Sequence, residues 1–221
     1  MAKQLSFHLP LQVASARDDL VVTPANTKAV KFFDGWPEWP TQLVILAGPI
    51  GAGKTHLCHI WAAQADARFI QPGQYEQPSP DTQHHLVVEG LQQGAFSEAW
   101  LFHLINAMRA AKRTLVLTSR RWPGDWGVAL PDLQSRLRAA HLVELDEPDD
   151  NLLRGVLVKL FADRQVTVSP TLIDYLVVRM ERSLACAQDL VDRLDRASLA
   201  EGRAVTRKLA AEALKDAGLL D

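Results

Sequence analysis

The sequence predicts an α/β fold in which a parallel β-sheet is buried between helices. Short runs of consecutive apolar residues alternate with helix-like segments along the first two thirds of the chain. Strands of a parallel sheet are covered on both faces, so they require continuous hydrophobicity and not an alternating pattern. Five runs meet this requirement, at 43–46, 69–70, 86–88, 115–117 and 142–145. We therefore expect a parallel, five-stranded αβα sandwich.

The segments between these runs supply the helices that cover the sheet. The clearest helix is predicted at 97–112, where Leu101, Leu104 and Ile105 recur at helical spacing on one face. Between residues 71 and 83 the chain is rich in Pro, Gln, Gly and Asp, which predicts a surface loop.

After Leu145 the pattern changes from alternating strands and helices to helices alone. Acidic residues and Pro148 form a turn and a helix-start signal. Helical segments are predicted at 151–164, 170–181, 186–200 and 206–217. We expect a boundary near Pro148 that separates an α/β domain at 13–147 from a small helical domain at 148–221, with a flexible N-terminal peptide at 1–12.

Composition excludes several classes of protein. The 221 residues include 24 Lys and Arg against 26 Asp and Glu, and 48% of them are hydrophobic, which excludes a disordered tail, collagen or a coiled coil. A net charge of -2 argues against a domain that holds nucleic acid by bulk electrostatics. No run approaches the ~18 apolar residues of a membrane span, so we expect a cytoplasmic protein without a membrane partner. Cys58 and Cys186 are predicted to be buried small apolar residues.

A glycine-rich loop follows the first predicted strand and precedes a helix. The segment from Gly48 to Thr55 fits the pattern G-x-x-x-x-G-K-T, in which backbone N–H groups and a helix N-terminus surround phosphate groups. Lys54 is expected to reach the β- and γ-phosphates, and the Thr55 hydroxyl to coordinate Mg²⁺. The alternative is a glycine-rich turn without a ligand. The predicted nucleotide-binding residues of this segment are Gly48, Pro49, Gly51, Ala52, Gly53, Lys54, Thr55 and His56.

A second acidic element is expected at the end of the third predicted strand. Glu89 follows the run at 86–88, where a metal-facing acid belongs, and is a candidate Mg²⁺ ligand and catalytic residue together with Thr55. The alternative is an acid that merely ends the strand. Gly90 occupies the place where many nucleotide hydrolases have a water-polarising carboxylate, so we expect slow intrinsic hydrolysis.

These residues, in this order, resemble AAA+ ATPases of the bacterial replication-initiator (DnaA) type, and among them the short regulatory Hda family. The likeness covers nearly the whole chain. Gly-Lys-Thr-His-Leu at 53–57 is similar to the family's phosphate loop, and the strand that ends at Ser119 resembles the sensor-one strand. The resemblance implies a catalytic role for Ser119, in contact with the γ-phosphate or the attacking water. The segment at 131–137 is similar to the arginine-finger box, which implies a finger at Arg136. Such an arginine, offered across a subunit interface, is worth ~10³–10⁵ in rate. A surface salt-bridge arginine is the alternative.

The resemblance extends to both ends of the chain. The C-terminal helices resemble the AAA+ lid, where the usual sensor-two arginine position holds Gln188, with Arg182 and Arg193 as nearby substitutes. Near the N-terminus, Val22 and Asn26 lie in a segment similar to the one that contacts adenine.

The first residues resemble the short peptide that docks into the groove of a DNA sliding clamp. A frayed terminus is the alternative. The implied clamp-binding residues are Gln4, Leu5, Ser6, Phe7 and Leu9.

The resemblance implies a function that is exercised through partners. A protein of this kind, holding ADP or ATP with Mg²⁺ and bound to the DNA polymerase III sliding clamp, promotes ATP hydrolysis by the initiator DnaA. DNA is then contacted indirectly, through the clamp. A helicase loader or other DNA-binding adaptor is the main alternative, and a P-loop kinase is another. The resident nucleotide and the formation of a homodimer are left open.

Overall fold

The computed structural model of the protein describes residues 17–72, 82–92, 94 and 96–219. The strands are β1 (Leu43–Ala47), β2 (Ala67–Ile70), β3 (His85–Leu91), β4 (Leu115–Ser119) and β5 (His141–Glu144). The helices are α1 (Thr27–Asp34), α2 (Lys54–Ala65), α3 (Glu98–Ala110), α4 (Pro131–Arg138), α5 (Asp150–Asp163), α6 (Pro170–Val177), α7 (Leu184–Glu201) and α8 (Arg207–Asp216). Short 3-10 helices lie at Arg17–Asp19 and Pro123–Asp125.

The five strands form one parallel sheet in the order β2-β3-β4-β1-β5. The predicted fold class is therefore confirmed: four of the five apolar runs lie within a strand, and the run at 142–145 extends one residue beyond β5. The central strand β1 has β4 on one side and β5 on the other. All carboxyl ends of the strands meet at one edge of the sheet, so the loop that follows β1 opens at that edge, where ligands of open α/β sheets bind.

Separate apolar cores cover the two faces of the sheet. Val44 and Leu46 of β1 face a core that includes Phe33 and Trp61, and Ile45 faces the opposite core beneath α3. Trp61 stacks against Trp39 with 5.4 Å between the ring centroids, one contact in a group of aromatic rings beside α1. Cys58 is fully buried, as predicted, and Cys186 is half-buried.

The four C-terminal helices have a core of their own, built by side chains such as Leu157, Leu176 and Leu194. Their boundaries differ from the predicted ones by more than one residue at two places. Helix α6 ends at Val177 instead of continuing to 181, and α7 begins at Leu184, earlier than predicted. The hydroxyl of Ser183 accepts a hydrogen bond from the backbone N–H of Cys186, so Ser183 is the N-cap of α7. The helix therefore begins two residues before its predicted start at Cys186.

None of the helices in the described part of the chain is both long enough and apolar enough to cross a membrane. The predicted clamp-binding peptide, and most of the loop predicted at 71–83, lie outside the described residues.

Candidate functional site

The glycine-rich loop connects β1 to α2 at the carboxyl edge of the sheet. Gly51 and Gly53 have φ values of 75° and 98°, in the region that favours glycine. Helix α2 begins at Lys54, whose Nζ donates hydrogen bonds of 2.7 Å to the carbonyl oxygens of Gly48 and Pro49. The loop therefore curls around the lysine ammonium group, at the positive end of a 12-residue helix.

Lys54 is half-buried, and this lowers its pKa. The main cause is desolvation, and the positive charge of Arg120 contributes in the same direction. Arg120 follows Ser119, whose carbonyl oxygen accepts a hydrogen bond of 3.2 Å from the N–H of Gly48. The exposed Arg120 thus lies beside the first residue of the loop, and the two cations make the local environment favourable for an anion.

Thr55 and Glu89 come together as the sequence predicts for a metal site. The Thr55 hydroxyl donates a hydrogen bond of 2.6 Å to Oε1 of Glu89, although the two residues are 34 positions apart. The described residues contain no group of three or more His, Cys, Asp or Glu side chains suited to a metal ion. One hydroxyl and one carboxylate are nevertheless the protein ligands that Mg²⁺ uses when phosphate oxygens and water complete its shell.

A bulge in β3 positions Glu89. The pairing of β3 with β4 shifts register between Val88 and Leu91, so Glu89 and Gly90 interrupt the ladder. Gly90 has a φ of 73°, and its N–H donates to the Thr118 hydroxyl over 3.1 Å. Glycine is required for this backbone conformation, which gives Gly90 a structural role besides leaving the position without a carboxylate.

Ser119 is buried and its hydroxyl is used within the fold. The side chain is 1% exposed, donates to the carbonyl oxygen of Leu91 over 2.8 Å and accepts from Nε1 of Trp126 over 3.0 Å. It also accepts from the N–H of Arg121. The Ser119 hydroxyl thus fixes the turn after β4, and the catalytic role expected for Ser119 stays a prediction. Trp126 is an anchor of this turn, buried to 3% exposure.

The two residues predicted to contact adenine differ in exposure and in hydrogen bonding. Val22 is 43% exposed. Asn26 is 6% exposed, and its side chain accepts from the N–H of Thr23 and donates to the carbonyl oxygen of Val21, each over 2.8 Å. Asn26 thus ties together the backbone on both sides of Val22, and its contact with adenine stays a prediction.

His56 lies on α2 near α5. It is half-buried, and desolvation lowers its pKa, with the charges of His59 and Lys159 acting in the same direction and Asp19 opposing them. The lowered pKa favours the neutral imidazole, which adds no positive charge to the loop.

The helical domain contacts the phosphate loop directly. The N–H of Leu184 donates to the carbonyl oxygen of Gly51 over 2.8 Å, and a Cβ atom added to Gly51 would lie 2.0 Å from the Ser183 hydroxyl. A Cβ atom on Gly155 of α5 would lie 2.8 Å from a methyl carbon of Val21. The two contacts of Gly51 place the start of α7 over the loop, and the approach of Gly155 places α5 against the segment before α1. The contacts of Ser183 and Leu184 with Gly51 were not predictable from the sequence, because a helix-capping residue does not indicate which loop packs against it.

The predicted sensor-two region is held by local contacts. Gln188 donates to Asp192, one turn along α7, and Arg193 pairs with Asp189 over 2.6 Å. Arg182 pairs with Asp150 over 2.6 Å and donates to the carbonyl oxygen of Pro148. Arg182 therefore links the turn before α7 to the start of α5.

Arg136 lies at the opposite edge of the sheet from the loop. It is half-buried in the last turn of α4 and lines a cavity with Leu43 and Leu115, the first residues of β1 and β4. The carboxylate of Glu98 anchors the start of α4, since it accepts from the N–H groups of Ala129 and Leu130 over 2.8 and 2.7 Å. The arginine is thus carried on a helix that is fixed at its beginning.

Comparisons with known proteins agree with this arrangement. The family model described as "Hda, lid domain" matches residues 150–214. An uncharacterized protein of Haemophilus influenzae is 28% identical over 174 residues, which are 72% of this chain and 75% of that protein.

Two solved structures share the fold. Domain III of the replication initiation protein DnaA from Thermotoga maritima has a TM-score of 0.78 at 18% identity, over 94% of this chain and 98% of that one. AMPPCP-bound DnaA from Aquifex aeolicus has a TM-score of 0.72 at 18% identity, over 91% of this chain and 70% of that one. The helical part of the chain therefore matches the Hda lid family, and the chain as a whole shares the fold of DnaA.

Proposed function

We propose that the protein is an adenine-nucleotide-binding regulator of bacterial replication initiation, which promotes ATP hydrolysis by the initiator DnaA together with the sliding clamp. The Hda-type lid and the DnaA-type fold support a regulator of replication initiation. The finer steps, namely nucleotide binding, action on DnaA and dependence on the clamp, are argued from the residues below.

Nucleotide binding is supported by the loop between β1 and α2. The N–H groups at the start of α2 and the Lys54 ammonium group suit the β- and γ-phosphates of ADP or ATP, with Gly48, Pro49, Gly51, Ala52 and Gly53 shaping the loop. Bound Mg²⁺ would supply charge neutralisation at the phosphates. Thr55 and Glu89 are the residues that would hold it, and Glu89 orients the Thr55 hydroxyl.

The single observation that carries the proposal is the location of Arg136. The phosphate loop follows the last residue of β1, whereas Arg136 lines a cavity with the first residue of that strand. Four residue steps at about 3.3 Å each separate these edges by about 13 Å along the strand alone. Arg136 is therefore suited to a nucleotide on another molecule, where a fixed guanidinium stabilises the charge of the transferring phosphoryl group.

Slow hydrolysis at the protein's own site is consistent with this division of roles. Gly90 supplies no carboxylate, and a Cβ atom on it would have no neighbour within 4 Å, so no side chain fills the place of a water-polarising acid there. The catalytic contribution of the protein is then directed at the ATP of DnaA.

Clamp binding by Gln4, Leu5, Ser6, Phe7 and Leu9 is the remaining part of the proposal. A short apolar peptide with one oriented amide suits a groove, where a few buried side chains supply most of the binding energy. The protein would then contact DNA indirectly, through the clamp. The surface around Arg136 would be buried against DnaA or, in a homodimer, against a second copy of the chain.

The test is ATP turnover by DnaA in the presence of clamp and DNA. We expect stimulation by the wild-type protein, and its loss with Arg136→Ala and with a deletion of residues 4–9. Arg138→Ala is the matched control, since it removes the same charge two residues further along the chain and should retain stimulation. Stimulation by the deletion variant at the wild-type level would remove the clamp from the proposal, and stimulation by Arg136→Ala would remove the arginine finger.

A further inference from the structure

The cavity beside Arg136 is lined by two further arginines. Its volume is about 240 Å³, and it lies between α3, α4 and the first residues of β1 and β4. Arg109, Arg113 and Arg136 line it together with the polar residues Thr41 and Gln42. No carboxylate is among its lining residues.

Two helices and the turn that ends one of them carry these arginines. Arg109 is in the last turn of α3, and Arg136 is in the last turn of α4. Arg113 lies just past the end of α3, where its N–H donates to the carbonyl oxygen of Met108 over 2.9 Å. That bond and the positive φ of Lys112, 55°, are features of a Schellman turn, which directs Arg113 back to the sheet edge.

The charges of the three guanidinium groups are not balanced within the described part of the chain. None of the three side chains forms an ion pair or donates a hydrogen bond to another group there, whereas most arginines of the helical domain do. The C-terminal ends of α3 and α4 favour a nearby cation, but such an interaction is worth only about 0.3–1 kcal/mol and provides few acceptors. The donors that converge on this cavity therefore suit an anionic ligand with many oxygens.

We propose that Arg109, Arg113 and Arg136 form a polyphosphate-binding site. Guanidinium groups bind phosphoryl oxygens in pairs of parallel hydrogen bonds, and a concave site with three such groups suits a compact chain of phosphoryl groups. Its polar rim lies over an apolar floor that includes Ile105 and Met108. If the proposed function is correct, the polyphosphate is that of the nucleotide held by the partner ATPase, and Arg109 and Arg113 are positioning residues for the chain that Arg136 touches.

Inorganic tripolyphosphate is the probe for direct binding. Titration by calorimetry would use the Lys54→Ala protein, so that the phosphate loop does not contribute. We expect binding that weakens at higher salt, and a loss of about tenfold to hundredfold in affinity when Arg113→Ala or Arg109→Ala is added. Adding Arg138→Ala should leave the affinity unchanged. Arg113→Lys should have a higher affinity than Arg113→Ala but a lower one than the protein with Arg113, because lysine keeps the positive charge and lacks the planar guanidinium that forms paired hydrogen bonds.

A second measurement tests whether the polyphosphate that this site binds is the one of the partner's nucleotide. In the DnaA turnover assay, Arg109→Ala and Arg113→Ala should raise the concentration of protein needed for half-maximal stimulation, whereas Arg136→Ala should lower the maximal rate. No stimulation by the wild-type protein, with tripolyphosphate binding intact, would contradict the proposed function and leave the site in place. Full stimulation by Arg109→Ala and Arg113→Ala, without tripolyphosphate binding to the Lys54→Ala protein, would overturn the site alone.

A nucleic acid is the competing ligand. Fluorescence anisotropy with a labelled single-stranded oligonucleotide tests it on the same variants. Binding of the oligonucleotide that depends on Arg113, with no binding of tripolyphosphate, would overturn the proposal in favour of a nucleic-acid backbone.

Discussion

At the scale of single residues, two glycines of the candidate site have different reasons to be glycine. Gly51 combines a φ of 75° with a close approach to Ser183, whereas Gly90 has a φ of 73° and open space around it. Substitution of either residue strains the backbone, by roughly 1–2 kcal/mol for a non-glycine residue in this region. Only substitution of Gly51 also forces the lid away from the phosphate loop.

Gly51→Ala should therefore impair nucleotide binding as well as stability, because the added methyl group would meet the Ser183 hydroxyl and the loop would have to move. We expect a lower free energy of unfolding for both Gly51→Ala and Gly90→Ala, measured by urea denaturation. A fluorescent ADP analogue should bind more weakly to Gly51→Ala and with unchanged affinity to Gly90→Ala. Equal affinity of both variants would show that the contact between Ser183 and the loop is irrelevant to the site.

Residue patterns in the sequence predicted part of the site. The order of glycines, Lys54 and Thr55 predicted a loop between a strand and a helix, which lies between β1 and α2. The position of Glu89 after an apolar run predicted that it lies close to Thr55, to which it is hydrogen-bonded. The buried role of Ser119 was not predictable in the same way, since it depends on Trp126 and on the carbonyl oxygen of Leu91, which the fold brings together from three segments.

At the scale of elements, a histidine side chain adds a hydrogen bond to the pairing of β3 with β4. His85, the first residue of β3, accepts at Nδ1 a hydrogen bond of 2.8 Å from the N–H of Thr114, the residue before β4. Desolvation lowers the pKa of His85, and the positive charge of Arg113 lowers it further. Both effects favour the neutral imidazole, which has the lone pair that this hydrogen bond requires.

The stability of the protein should consequently decrease in mild acid. The pKa of His85 in the folded protein lies below the ordinary value of 6.5, so below about pH 6.5 the unfolded chain binds the proton more readily. The free energy of unfolding is then highest above that pH and falls as the pH is lowered towards the folded-state pKa. His56, whose pKa is also lowered by desolvation, acts in the same direction.

Urea unfolding between pH 7.5 and pH 5.5 measures this dependence. His85→Asn is the informative variant, because the amide oxygen can replace the acceptor atom and does not titrate. We expect a smaller loss of stability between these pH values for His85→Asn than for the wild-type protein. Identical pH profiles for the two proteins would exclude His85 as a source of the dependence.

The strands β1, β3 and β4 were predictable because each contains a continuous apolar run that is buried on both faces. The edge strands β2 and β5 were predicted from shorter apolar runs, although they are only partly buried. The bulge at Glu89 and Gly90 was not, since it appears only in the register between β3 and β4. The early start of α7 was missed for a related reason: Ser183 fits a cap or a loop equally well until its partner N–H is known.

At the scale of the whole molecule, the phosphate loop lies at the junction of two apolar cores. The first is the one of the two sheet cores that includes Ala52, and the second belongs to the C-terminal helices. Leu184 packs against the helical core, and its N–H donates to the carbonyl oxygen of Gly51. A ligand at the loop should therefore stabilise both parts of the chain.

ADP should raise the thermal stability of the wild-type protein, because a ligand that binds only the folded state adds about 2.7 kcal/mol at a concentration 100-fold above its Kd. The unfolding temperature, followed by circular dichroism with and without ADP, measures the effect. Lys54→Ala should show little or no shift, since it removes the cation that the phosphates would contact. A shift as large in Lys54→Ala as in the wild type would place the nucleotide elsewhere.

The central claim is that Arg136 acts on a nucleotide held by another molecule. A single-turnover experiment with labelled ATP loaded on DnaA, and unlabelled nucleotide on this protein, tests it most directly in the presence of clamp and DNA. We predict rapid formation of labelled ADP with the wild-type protein, and a rate close to that of DnaA alone with Arg136→Ala. Labelled ADP that forms only when the label is loaded on this protein would contradict the account.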